Sequence, residues 1–174
     1  MTPIAHSGVA LLGWELASSR KNYRTLVLFI LVGNFPDVDF LLYLFFGRNR
    51  FGVHQYFTHN LFFVLVGAAL FSLLIPAGRD RAGLILVGLS HLALDIVVID
   101  PIHPIGIRLL YPFSGQVYNF GVFPYLSRGS LTRMLTLRNG LVMILEALIF
   151  LVPVLIIWGK KFSGYLARRS FWMS

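Results

Sequence analysis

The chain has 174 residues, 57% of them hydrophobic and 13% charged, with a mean hydropathy of +0.76; that is too apolar for a soluble domain of this size and matches one membrane-embedded domain covering 1–174. Cysteine is absent, which excludes disulfides, thiolate zinc sites and a cysteine nucleophile and leaves His, Asp and Glu to bind any metal. The net charge of +8 lies in short clusters beside apolar runs, a pattern of anchoring to anionic lipid headgroups and not of nucleic-acid binding.

Apolar runs at 2–19, 25–46, 60–76, 82–99 and 139–158 predict an all-α, polytopic helical bundle of about five spans. The first run has no Lys or Arg ahead of it, so it makes a poor secretory signal and reads as a retained helix carrying His6. The second is interrupted by Gly33, Asn34 and Pro36. Proline suits the first turn of a helix, so a half-helix is expected from Pro36 to Phe46, with Asp37 and Asp39 at its positive N-terminus.

Next comes "HQYFTH", with His54 and His59 at the entry to the third run and Thr58 suited either to orienting a ligand or to capping. The "GRDR" stretch at 78–81 reads as a tight basic turn. The fourth run holds "HLALD", whose His91 and Asp95 are four residues apart and so share a helix face. The connection 100–138, dense in Pro, Gly and aromatic residues, predicts an interfacial or re-entrant lid, with Asp100 and His103 beside the site and a short amphipathic helix at its end. Glu146 in the fifth run is expected to bond a neighbouring helix, and Glu15 to pair with Arg20 or Lys21. Residues 159–174 form a basic, aromatic interfacial tail.

Alternation of the spans brings His6, Asp37, Asp39, His54, His59, His91 and Asp95 into the same half of the membrane, whichever way the chain is oriented. The basic residues Arg20, Lys21, Arg24, Arg79, Arg81, Lys160, Lys161, Arg168 and Arg169 fall at the other side, nine against the six (Arg48, Arg50, Arg108, Arg128, Arg133 and Arg138) on the cluster's side, a small excess that places the first side in the cytoplasm and the polar cluster outside. An Asp at the bilayer centre costs roughly 2.5–3.5 kcal/mol, and no Lys or Arg occurs in 25–47, 51–78 or 82–107 to offset it. Four His and three Asp form the ligand set of a site for two or three divalent ions, zinc first, with manganese or iron as alternatives. Three carboxylates against two divalent ions leave a net positive pocket that favours hydroxide and an anionic substrate, so hydrolysis of a phosphoester fits, with membrane lipid as environment and substrate. Asp95 and Asp39 are the catalytic candidates, Asp39 as a base. Two rivals use the same residues: a metal-ion or proton transporter, and a non-catalytic scaffold tied together by metal.

The ordered set His6, Pro36-Asp37-x-Asp39, His54-x-x-x-Thr58-His59, His91-x-x-x-Asp95 and Gly106…Pro112-Phe113 resembles the membrane-bound metal-dependent hydrolase family of inner-membrane proteins, more distantly similar to zinc-dependent phospholipase C. The resemblance covers about 6–113 and implies that Asp95 bridges two metals. It departs where the family often has Arg and Ser after the two loop histidines, for this chain has Gln55 and Asn60 there.

Overall fold

The computed structural model describes residues 1–39, 57–76, 78–99, 106–125 and 135–171. Within them the chain is helical: α1 (Pro3–Ala17), α2 (Tyr23–Asn34), a 3₁₀ turn (Phe35–Asp37), α3 (Leu61–Ser72), α4 (Arg79–Ile96), α5 (Leu137–Phe150) and α6 (Val152–Phe171). No strand occurs among the described residues, only the isolated bridges Val98–Phe123 and Ile107–Tyr118.

The helix starts follow capping chemistry. Thr2, Asn22, Asn60 and Thr136 each accept a hydrogen bond from the first turn that they precede, satisfying amides that have no partner within the helix. Helix α1 is apolar nearly all round and packs against α2, α4, α5 and α6. Its Gly8 lies so close to the backbone of Phe150 that a Cβ would stand 2.9 Å from the Phe150 carbonyl carbon. One core, formed by Ala10, Phe29, Val32, Ala68, Ile75, Leu84 and Val87, joins α1–α4. A second, Val64, Leu92 and Ile107, joins α3 and α4 to the segment after them.

Three expectations change. No single helix among the described residues is long and apolar enough to cross a membrane, but α5 and α6 together have that length and composition across a 42° bend. The predicted fifth span is therefore two helices. Pro153 is the reason: it has no N–H to give the carbonyl of Ile149, and it sits comfortably in the first turn of α6 instead. The amphipathic stretch expected before the fifth run ends as the cap and first turn of α5, while 126–134 lie outside the described residues, as does the half-helix beyond Asp39. The lid is described over 106–125. It folds onto the end of α4, where Phe120 N–H donates to Ile96 O (2.7 Å) and Val122 and Phe123 N–H to Val97 O (both 2.8 Å), partnering carbonyls left over at a helix end. Gly106 turns the chain into this segment with φ +108°, and a Cβ there would collide with the Tyr118 carbonyl.

Candidate metal centre

Six of the seven sequence-derived ligands are described, and the fold brings them to one end of the bundle; His54 lies outside the described residues, with Asp100 and His103. His6 is one turn into α1, Asp37 closes the 3₁₀ turn, Asp39 follows it, His59 precedes α3, and His91 and Asp95 stand one turn apart near the end of α4. His6, His59, His91 and Asp95 are buried. The Asp37 and Asp39 side chains are 20% and 15% exposed, so these two reach solvent.

One ligand atom from each of Asp37, His59, His91 and Asp95 falls within 4.8 Å of all the others. His59 Nε2 is 3.3 Å from Asp37 Oδ1, 3.2 Å from Asp95 Oδ2 and 3.2 Å from His91 Nε2. His91 Nε2 is itself 3.2 Å from Asp95 Oδ2. On the far side, Asp95 Oδ1 faces His6 Nε2 at 3.4 Å and takes the Met1 amino group. The His6 ring stacks on His91 with centroids 3.8 Å apart.

What lies behind the two histidines decides which nitrogen faces inward. His91 Nδ1 is 2.8 Å from the carbonyl of Gly33, which can only accept, so Nδ1 carries the proton and Nε2 presents its lone pair to the cluster. That carbonyl is free for His91 because the switch from α to 3₁₀ geometry at Phe35 ends its helix. His59 Nδ1 is 2.9 Å from Thr58 Oγ1 and 3.5 Å from Asp39 Oδ2. Thr58 Oγ1 donates its proton to Asp39 (2.7 Å), so its oxygen accepts from His59 Nδ1, and here too Nε2 turns inward. The Nε2 atoms of two imidazoles and two carboxylate oxygens thus converge. They repel one another unless a cation joins them, and outward-bonded Nδ1 groups of this kind are what orient metal-ligating histidines. The donor set of two nitrogens and two oxygens fits zinc or a similar divalent ion.

Some partners were not readable from spacing. Glu146, buried on α5, accepts from Thr2 N–H (3.1 Å) and from the Thr2 hydroxyl, so the neighbouring-helix bond expected of it ties down the start of α1 and, one turn on, His6. Thr58 orients His59, and the cap of α3 is Asn60, whose Oδ1 accepts from Phe63 N–H at 2.8 Å. Asp80, read as part of a basic turn, is buried and accepts from Ser19 N–H (2.6 Å), Ser19 Oγ (2.7 Å) and Ser18 Oγ (3.4 Å) at the opposite end of the bundle. Glu15 has its expected ion pairs, to Lys21 and also to Lys161.

Comparison with curated proteins and with solved structures gives no match. The family described as YdjM inner membrane protein matches residues 1–164. With nearly the whole length matched, this chain belongs to the YdjM inner membrane protein family and is a protein of the inner membrane.

Proposed function

We propose that the chain is a polytopic, metal-dependent hydrolase that cleaves a phosphoester of a lipid or lipid-linked substrate. The observation that carries the reading is the convergence of His59 Nε2, His91 Nε2, Asp37 and Asp95 within 4.8 Å, with both Nδ1 groups bonded outward. These four residues would hold one divalent ion, and Asp95 Oδ1 with His6 offers a second position, in keeping with a bridging Asp95. Bound there, divalent ions supply a water that is nucleophilic near neutral pH and charge stabilisation for the oxygens around phosphorus. The chain supplies the rest. Gly33 O and the Asp39–Thr58 pair fix the two imidazoles, the buried walls exclude water from three sides, and Asp37 and Asp39 form the solvent-reached lip, where a proton from the attacking water can be accepted at Asp39. A membrane-embedded bundle is supported by the large apolar side chains that face outward, among them Leu70, Leu74, Leu141, Leu148 and Leu155, each more than half exposed.

Elemental analysis of purified wild type and His91→Ala, with lipid extracts incubated alongside, tests this reading. At least one divalent ion per chain is expected in the wild type and loss in the variant, with headgroup release only from the metal-loaded wild type. Less than one ion per chain removes the reading. Ion flux in proteoliposomes that is abolished by Asp95→Asn, without lipid turnover, replaces it with transport.

A further inference from the structure

Beside the metal cluster an apolar groove of about 200 Å³ runs between α3, at Leu61, Phe62 and Leu65, and the segment after α4, at Leu109, Tyr111 and Phe113. Among the described residues its lining is apolar. Ligand pockets for drug-sized molecules occupy roughly 300–1,000 Å³, so this smaller space takes only a short apolar segment, such as part of one hydrocarbon chain. Leu61 stands two residues after His59, and its N–H donates to Leu109 O at 2.8 Å, which closes one end of the groove. Leu61 and Leu109 also pack on the core that contains Leu92, the residue after His91. Leu61 thus links the groove to the segment that carries His59, and Leu92 links the core behind it to the helix that carries His91. Aromatic rings crowd the rim: Phe57 meets Tyr111 edge to face at 6.0 Å, and Phe113 is 86% exposed. Aromatic residues of this kind gather where hydrocarbon meets headgroups.

We propose that this groove holds one acyl chain of a phospholipid whose headgroup phosphate lies at the metal cluster, making Phe62 and Leu65 determinants of chain-length preference. The chemical class of the substrate rests on the hydrolase reading; occupation of the groove by an acyl chain does not.

The probe is phosphatidylglycerol with a diazirine at the end of one acyl chain, photolysed with the full-length protein in phosphatidylethanolamine vesicles and mapped by mass spectrometry. Adducts are expected to concentrate at 61–65 and 109–113, several-fold above those at the lipid-facing Leu148 and Leu155. Leu65→Trp, which fills the groove, should bring them down to that background, and Leu65→Ala should keep them. An unchanged helical circular dichroism spectrum and unfolding midpoint show that the Trp variant is folded, and Leu65→Phe, a smaller fill, should give a partial reduction. The ratio of kcat/KM for long-chain over short-chain phosphoester should fall at least about tenfold in Leu65→Trp, a transition-state difference of about 1.4 kcal/mol. Adducts spread evenly over the apolar surface, or indifferent to Leu65→Trp, overturn the groove even if headgroups are released. Concentrated adducts with no headgroup release from metal-loaded protein overturn the hydrolase reading and leave the groove standing as a lipid site.

Discussion

At the scale of single residues, the centre depends on atoms that touch no ligand position. Thr58→Val keeps the shape of the side chain but removes the hydroxyl that links Asp39 to His59 Nδ1. Loss of such an outer partner commonly lowers metal affinity about 10–100-fold, and zinc competition titration of the variant should show a fall in that range. Gly33 carries two duties: its carbonyl accepts from His91, and its α-carbon faces Ala10 and the His6 carbonyl across the contact between α1 and α2. A Cβ there would stand 2.9 Å from Ala10 Cβ, another short side chain that cannot swing aside. Gly33→Ala should cost about 1–3 kcal/mol through overpacking, read as a lower unfolding midpoint, and weaken metal binding in the same sample. Most of the clustered side chains were legible in the sequence because they carry a local sign: an i, i+4 pair on α4, a Pro-Asp break in an apolar run, a histidine next to a helix cap. The carbonyl of Gly33 and the donors of Thr2 left no such sign. They are backbone groups or distant partners, and residue types at a given spacing say nothing about them.

At the scale of helices, composition identified apolar runs well and their ends poorly. The run 139–158 is apolar apart from Asn139 and Glu146, and hydropathy alone reads it as one rod; the break depends on one missing amide at Pro153, a geometric fact that averaging hides. The start of α4 shows the reverse, a charge that looked superficial and proves to be buried. Burial alone would raise the Asp80 carboxyl, but the backbone and hydroxyl donors of Ser19 and the Ser18 hydroxyl outweigh it and hold it below the ordinary carboxylate range. A carboxyl whose folded pKa is depressed stabilises the fold above its unfolded value, and the gain is lost as pH falls through the folded value. The stability difference between wild type and Asp80→Asn, about 1–3 kcal/mol, should be constant above about pH 5 and shrink below about pH 4. Denaturant midpoints measured across that range check the sign. Glu146→Leu should release the start of α1 from α5 and loosen His6, so metal bound near His6 should be lost before metal held by His59 and His91.

At the scale of the whole molecule, the two ends of the bundle have opposite chemistry. Helix α1 begins at the metal cluster and ends at Glu15, where Lys21 and Lys161 converge, while α4 begins at Arg79, bonded to the Leu16 carbonyl, and ends at Asp95. We propose that the basic end faces the cytoplasm, by the positive-inside rule, which would turn the cluster outward. The cysteine-free sequence makes the check direct: in intact cells stripped of outer barriers, a membrane-impermeant maleimide should label Gly115→Cys and spare Lys160→Cys. Labelling of Lys160→Cys alone inverts the orientation.

Among the described residues of the cluster, the imidazoles come from chain positions 6, 59 and 91 and are sealed from water, while only Asp37 and Asp39 touch it. A cofactor held this way is assembled with the protein more readily than it is exchanged afterwards. Zinc present in the growth medium should therefore fill more molecules than the same zinc offered after purification, and chelators should strip the finished protein over hours, at a pace set by breathing of the bundle and not by chelator strength.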